Sequence, residues 1–483
     1  MISESPSEKF YKSPSILIGL ALHAVLFLWL FQLALAPEVK NRIDTTIGEH
    51  TVESLLKETG IFGFITYYYD THTEARLFYR YAKLTLNGEL DTWLKKKNRR
   101  LKVQRPWPYR DINIEYQPGA LLTLLPPALL SDNFDEYRFW LGAWLGAIYI
   151  FNLAAGLYLF VGGRPAPEQL KRMLWWSVVF LLLFGGITVT RFDHVVVTCI
   201  LCSALAFKAA LKRVGNNALV WYGIFGIISA LGVMTKIVPG LVIPAALLIL
   251  LLADKPRWKE SGTVVGSLTA ALILINIVFY MIFGNGYLKS FTFHMERGVQ
   301  LESVYSGFIL LAHKAGLPAA VGFSYGGMNV DSAFTPAVKL LSPILFLCIS
   351  GLIAWRFWKY RHASMETDLQ PEEKVRQLLI ITIVFVLAFI LTNKIFSPQF
   401  ILWIGPLIAA WVGAEKNMLK ISALFLSATL LTQVIYPRLY HCLINLYYQM
   451  VIVLNVRNIL LALLLALLLI ELPRLLKKGE TPA

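Results

Sequence analysis

Residues 15–36 read SILIGLALHAVLFLWLFQLALA, and this first apolar run decides the class of fold. At about 22 residues it is long enough to cross a hydrocarbon core of roughly 30 Å as a single helix. A cleaved secretory signal has a shorter apolar core that ends in small residues, so the run predicts a retained membrane helix. Lys9 and Lys12 precede it, which favours a cytoplasmic N-terminus.

The composition of the whole chain also indicates a membrane protein. Of its 483 residues, 57% are hydrophobic and only 16% are charged, and the mean hydropathy is +0.59. Soluble domains hold about 25% charged residues. The formal net charge of +15 does not indicate a nucleic-acid partner, because most basic residues lie in short loops between apolar runs, where they orient a membrane protein. The lipid bilayer is the expected partner.

The apolar runs predict the number of membrane spans. About twelve of them follow one another along the chain. They lie near residues 15–36, 139–162, 174–190, 194–211, 217–234, 237–253, 264–283, 334–357, 375–393, 399–414, 417–436 and 449–472. With this count the short basic loops all fall on the N-terminal side of the membrane, so both termini are predicted to be cytoplasmic. The chain is then an all-α polytopic membrane protein with one membrane domain over residues 1–483.

Three loops and one short apolar segment interrupt these spans. Residues 37–118 form a large extracytoplasmic loop after the first helix, residues 284–333 form a second one, and residues 358–374 form a cytoplasmic loop. Residues 119–131 are apolar but contain a Pro-Pro pair and are too short to span comfortably. If they crossed, every later basic loop would face outward, so a re-entrant or shallow helix is predicted there.

The start of one helix in the first loop supplies the leading catalytic candidate. Residues 71–74 read THTE, which is the capping-box spacing, and Gly88 is a typical helix stop, so a helix is predicted over 71–87. Glu74 is interpreted as a cap of this helix. Asp70 lies just outside the cap and either compensates the helix dipole or acts as a general base, since a carboxylate can take a proton from a hydroxyl group near neutral pH.

The end of the same loop carries a second pair of carboxylates. Asp111 and Glu115 are followed by Tyr116, where the chain returns to the bilayer. Asp111 is interpreted either as the partner of Arg110 or Arg105 in a loop ion pair, or as a group that binds a substrate. Glu115 and Tyr116 are further candidates for substrate binding.

Later segments of the same outer face supply the cations. Residues 293–303 read FHMERGVQLES, and if this stretch is helical, His294 and Arg297 share one side. Such a pair beside a membrane suits a lipid-linked phosphate, because Arg offers a planar fork and His can protonate a leaving group. The alternative is an interfacial helix with snorkelling side chains. The other polar candidates on this face are Gln300, Glu302, Arg191, Asp193, Lys236, Lys394 and Gln399. For Arg191 and Asp193 the first interpretation is a structural contact with each other.

The sequence lacks the common motifs for nucleotide binding and metal binding. It has no P-loop, no dinucleotide-binding fingerprint and no His/Cys spacing for a metal. It also lacks Asp-x-Asp, so no divalent cation for a nucleotide sugar is indicated, and a donor should arrive from the membrane already activated. The four cysteines, Cys199, Cys202, Cys348 and Cys442, make no disulfide framework.

Together these motifs resemble glycosyltransferase family 87, integral-membrane enzymes of the GT-C fold class that use polyprenyl-phosphate sugars. The matching parts are Asp70 with its Tyr-rich helix, PYRDINIEYQP at 108–118, RFD at 191–193, Lys236, HMERGVQLES at 294–303 and KIFSPQ at 394–399. The stretch 294–303 is fairly specific, and the others are individually weak. The resemblance covers residues 60–410, approximately.

The resemblance implies that Asp70 is the catalytic base, that His294 lies near the reaction centre, and that a cavity opens to the outer leaflet. The expected activity is transfer of a sugar, with mannose favoured, from a polyprenyl-phosphate donor to a glycolipid or glycan acceptor, with inversion and with no metal or other cofactor. Arg297, Lys394 and Lys236 are expected to bind the donor phosphate. The protein would be integral to a bacterial plasma membrane, with its active site extracytoplasmic.

Two other classes of function stay open. A transporter or flippase of lipid-linked saccharides would share the spans and the buried charges, but it needs no large structured loop beside the first helix. The paired halves that are typical of transporters are not visible in the sequence. A non-catalytic protein of envelope assembly would leave the polar outer face unexplained.

Overall fold

The computed structural model describes residues 14–35, 72–91, 94–95, 105–363 and 369–477, with side chains of the first range up to residue 26. Asp70, the predicted base, and Thr71, the predicted cap, lie outside the described residues. Within these ranges the chain is mainly helical, with one small sheet.

The elements are numbered in chain order. The helices are α1 (Pro14–Leu35), α2 (His72–Asn87), α3 (Leu121–Leu129), α4 (Phe134–Val161), α5 (Pro167–Phe184), α6 (Ile187–Thr190), α7 (His194–Leu211), α8 (Gly215–Thr235), α9 (Val242–Leu251), α10 (Trp258–Phe283), α11 (Lys289–Glu296), α12 (Val304–Lys314), α13 (Thr335–Ala363), α14 (Pro371–Thr392), α15 (Gly405–Ala414), α16 (Leu419–Gln433), α17 (Tyr440–Ile444) and α18 (Tyr448–Leu476). Short 3₁₀ turns cover Pro118–Ala120, Val238–Leu241, Gly284–Leu288 and Pro398–Trp403, and a π-turn covers Val434–Arg438. The strands are β1 (Val299–Gln300), β2 (Ala319–Ser324) and β3 (Gly327–Ser332).

The helix lengths identify a polytopic helical membrane protein. In the described part of the chain, eight helical segments are long and apolar enough to cross a membrane: Phe134–Val161, His194–Leu211, Gly215–Thr235, Trp258–Glu296, Thr335–His362, Pro371–Thr392, Leu419–Arg438 and Tyr448–Leu476. Shorter apolar helices cover Pro14–Leu26, Pro118–Leu129, Val238–Leu251 and Pro398–Ala414. Helices occur on all the predicted apolar runs, but a count of twelve spans and the GT-C class stay predictions.

Helix α14 is the centre of the bundle. Its most apolar window is 94% buried, and α4, α7, α9, α13 and α18 pack around it. After a charged first turn it reads QLLIITIVFVLAFILT, and a helix that is apolar on all sides is expected to be surrounded by protein or lipid. Helix α10 lies at the periphery, since none of its most apolar window is buried within the protein.

The helix predicted in the first loop is confirmed as α2. It ends before Gly88, whose φ of +69° is the left-handed conformation that glycine adopts without a steric cost. Its apolar side, which includes Ala75 and Phe78, packs against Leu124 of α3 and Tyr137 of α4. This packing places α2 against α3 and α4 at one end of the bundle.

The conditional helix over 293–303 is wrong. Helix α11 ends at Glu296, and Val299 pairs with Val330 in a three-stranded antiparallel sheet of order β1-β3-β2. A new helix then begins after Ser303, whose hydroxyl accepts the Ser306 backbone N–H as an N-cap. The flexible Gly298 and the β-branched Val299 favour this break, and the strand buries Val299 completely.

The predicted cytoplasmic loop 358–374 is shorter than expected. Helix α13 continues to Ala363, and α14 begins at Pro371. Of the charges expected in this loop, five lie on helix ends: Lys359, Arg361, Glu372, Glu373 and Lys374. Arg361, for example, donates to Asp254 Oδ1 at 3.4 Å across the bundle.

Candidate functional site

The polar residues predicted for the outer face lie where helices of the bundle end. Helix α7 begins just after Asp193 and the adjacent α8 ends just before Lys236, so these two residues lie at the same end of a helix pair. Helix α14 ends just before Lys394. Prolines at the starts of the next turns, Pro239 and Pro398, explain why the chain is not helical at these points.

One buried ion pair joins Asp193 and Lys236. The Lys236 Nζ lies 2.5 Å from Asp193 Oδ1, and the indole N–H of Trp403 donates to the same oxygen at 2.7 Å. The ammonium group also lies 4.7 Å from the centre of the Phe192 ring. The expected contact between Asp193 and Arg191 is therefore wrong, because helix packing brings Lys236 closer to this carboxylate.

Arg191 forms its ion pair with Glu74 at the start of α2. It also donates to the Tyr436 hydroxyl at 3.1 Å, and the Tyr116 hydroxyl donates to Glu74 Oε1 at 2.6 Å. The capping interpretation of Glu74 depends on Thr71, which lies outside the described residues. The ion pair with Arg191 is a role that the sequence did not indicate.

Helix α11 carries His294 in its last turn, and Arg297 follows directly after the helix. The His294 ring lies within hydrogen-bonding reach of the Glu115 backbone carbonyl, and the positive charges of Arg297, Lys236 and Lys394 act on this ring. The Glu115 carboxylate in turn acts on Arg297. The predicted cations therefore share one electrostatic environment with a predicted carboxylate.

Lys394 closes the C-terminal end of α11. Its Nζ donates to the backbone carbonyls of Met295 and Arg297, both at 2.6 Å. Cations are favoured at helix C-termini, so this contact orients the segment that carries His294 and Arg297. Burial, helped by the positive charges of Lys339 and Arg297, lowers the pKa of Lys394 to about 8.

Gln300 and Glu302, which follow Arg297 in the chain, are both buried. Gln300 Oε1 accepts the backbone N–H groups of Phe396 and Glu302, each at 3.2 Å. The backbone N–H of Gln300 donates to the Lys394 carbonyl at 2.9 Å. Burial raises the pKa of the Glu302 carboxyl to about 7, although the nearby Arg457 lowers it.

Arg457 of α18 is a site component that the sequence analysis missed. Its side chain is fully buried, its Nη2 donates to the Glu302 carbonyl at 2.6 Å, and its guanidinium lies 3.9 Å from the Phe396 ring centre. Asn458 donates to the Ser303 carbonyl at 3.4 Å. The signal was present, because residues 455–458 read NVRN within an apolar run, and ionisable residues at membrane depth indicate a functional site.

Two predicted residues are not drawn into this cluster. The Asp111 carboxylate accepts the backbone N–H of Trp107 at 2.8 Å, and no ion pair with Arg110 or Arg105 is found among the described residues. Gln399 lies half-buried in the 3₁₀ turn after α14, with no hydrogen bond to the cluster in the part of the chain that the structure describes. A substrate-binding role for either residue stays a prediction.

Neither a metal centre in the described part of the chain nor a known relative indicates the chemistry of the site. Within the described ranges no group of three or more His, Cys, Asp or Glu side chains could hold a metal ion, and the expectation that no metal is needed stays a prediction. No family model and no curated protein matches the chain. The positive charges of Arg297, Lys236 and Lys394 act on the His294 ring, and the Glu115 carboxylate acts on Arg297.

Proposed function

We propose that the protein is a membrane-embedded glycosyltransferase that moves a sugar, with mannose favoured, from a polyprenyl-phosphate donor to an acceptor hydroxyl. The observation that carries the proposal is the meeting of Lys236, His294, Arg297 and Lys394 at one end of a membrane bundle. A charged side chain at membrane depth costs about 2.5 kcal/mol or more, so such a group is expected where a charged ligand binds. The phosphate of a lipid-linked sugar has the complementary charge and lies at the membrane surface.

In the proposed reaction, the acceptor oxygen attacks the anomeric carbon while the bond from that carbon to the phosphate oxygen breaks. Asp70 takes the hydroxyl proton, and the phosphate leaves with the bonding electrons as polyprenyl phosphate, which inverts the anomeric centre. The role of Asp70 is supported by the family resemblance alone. The planar fork of Arg297 and the His294 ring stabilise the charge on the leaving phosphate.

The proposal also covers the fold class, the membrane topology and the location of the two substrates. The fold would be GT-C-like, in a bacterial plasma membrane with both termini in the cytoplasm. The donor would lie in the outer leaflet, and the acceptor would be a glycolipid or glycan. The ion pair of Glu74 with Arg191 supports this placement of the first loop, because it attaches the helix that follows Asp70 to the end of the bundle where the cations lie.

The test is transfer by the purified full-length protein from radiolabelled polyprenyl-phosphate mannose to a panel of glycolipid and glycan acceptors. We expect donor consumption by the wild type, loss of turnover with retained donor binding in Asp70→Asn, and wild-type turnover in Glu89→Gln. Glu89 is the matched control because it is an exposed carboxylate of the same loop. Turnover in Asp70→Asn equal to the wild type would refute the assigned base, and donor movement across vesicles without consumption would support the transporter.

A further inference from the structure

The hairpin of β2 and β3 contributes none of the residues assigned to the proposed reaction. Its register places Ser324 opposite Gly327, so Tyr325 and Gly326 are the two loop residues. Their φ values are 49° and 70°, which is the type I′ geometry that two-residue hairpins prefer. The right-handed twist of the strands thus determines the position of the tip.

The tip is held by hydrogen bonds within the hairpin and packs against α11. The Asn329 side-chain amide donates to the carbonyls of Ser324 and Gly327 at 2.6 and 3.1 Å, and Asn329 is buried. The Tyr325 ring packs edge-on against Phe293 of α11, with 5.4 Å between ring centres. These contacts place the turn beside the end of α11.

Two glycines of the tip face two candidate site residues. A Cβ atom added to Gly326 would lie 2.8 Å from Glu115 Oε2. A Cβ atom added to Gly327 would overlap Nη2 of Arg297 and lie 3.2 Å from its Cζ. The Arg297 Nε is also buried without a hydrogen-bond partner among the described residues. The space for the guanidinium is therefore bounded by the hairpin backbone.

We propose that the hairpin tip is a wall of the candidate site and that Gly327 is a positioning residue for Arg297. Its lack of a side chain leaves the space in which the guanidinium stands beside Glu115 and meets a phosphate. Gly327 does not have a positive φ, so alanine is allowed by its backbone and the requirement is for space alone. The identity of the ligand rests on the proposed function, whereas the contact between Gly327 and the Arg297 guanidinium does not depend on it.

The experiment compares Gly327→Ala with Gly322→Ala in the full-length protein. Gly322 is the matched control because it lies in the same hairpin with nothing within 4 Å of an added Cβ. Modification of Arg297 by phenylglyoxal, followed by peptide mass spectrometry, should be several-fold faster in Gly327→Ala than in the wild type or the control. The Kd for polyprenyl phosphate should rise about tenfold in Gly327→Ala only, as expected when one charged contact weakens.

A background variant separates a positioning effect from a folding defect. With Arg297→Ala already present, Gly327→Ala should cause no further loss of affinity, since the group that it displaces is absent. If Gly327→Ala alone does not fold, the double variant should fold, and failure of both overturns the inference. Modification of Arg297 at the wild-type rate in folded Gly327→Ala also overturns it. A wild type that binds no polyprenyl phosphate counts against the proposed function, and the modification rates still decide the role of Gly327.

Discussion

Asp193 and Lys236 form an ion pair of 2.5 Å across 43 residues of sequence, with Asp193 only 2% exposed. Removal of one partner leaves the other charge buried and unpaired. We expect Lys236→Met to lower the free energy of unfolding by about 3 kcal/mol, the size found for broken buried pairs. Thermal unfolding in detergent measures this. The exposed Lys259→Met is the control, and an equal effect of the two changes would show that the pair is not structural.

Substitution of Glu74 tests whether this residue caps α2 or pairs with Arg191. Loss of a cap costs about 1 kcal/mol, whereas loss of the partner of the buried Arg191 costs about 3 kcal/mol. We expect Glu74→Gln to have the larger effect on the free energy of unfolding, and Tyr116→Phe to remove about 1.5 kcal/mol through its lost hydrogen bond to the carboxylate. A double-mutant cycle with Arg191→Gln measures the coupling. Additive effects of Glu74→Gln and Arg191→Gln would favour the capping interpretation over the ion pair.

Arg457 should matter more than any other arginine of α18. Arg457→Met leaves the buried Glu302 without its cationic neighbour, so we expect a loss of about 3 kcal/mol in the free energy of unfolding and weaker polyprenyl-phosphate binding, because Glu302 follows the segment that carries Arg297. Arg474→Met is the control on the same helix, since the Arg474 side chain is 86% exposed and its pair with Glu471 is worth about 0.5 kcal/mol. Equal losses in the two variants would contradict the prediction.

The stability of the protein should depend on pH through Glu302. Burial raises its pKa from 4.5 to about 7. Between these values the folded protein keeps a proton that the unfolded chain has released, so the free energy of unfolding falls as the pH rises through this window and levels off above it. The wild type should lose at most about 1.4 kcal/mol per pH unit there, relative to Glu302→Gln.

Thermal unfolding of both proteins at four pH values from 5 to 8 measures this difference. The exposed Glu296→Gln controls for the loss of one charge. A constant difference between the wild type and Glu302→Gln across the window would show that this carboxyl does not titrate there.

Local sequence signals were sufficient for several elements. The capping-box spacing and Gly88 predicted α2 and its end at Asn87, because both signals act within one helical turn. The helix considered over 293–303 does not form, because Val299 pairs with Val330, which is distant in sequence, and this pairing overrides the local periodicity. Asp111 was a candidate by its type and spacing, but backbone geometry directs its carboxylate to the Trp107 N–H.

By itself the sequence determined that this is a helical membrane protein, because apolar runs of this length must satisfy their backbone hydrogen bonds internally within a bilayer. It also predicted that polar groups collect at helix ends on one face. Only the tertiary structure decided which charges meet: Asp193 with Lys236, Glu74 with Arg191, and the Glu302 segment with Arg457 at a separation of 155 residues. Those pairs depend on the packing of helices distant in sequence, which no local pattern specifies.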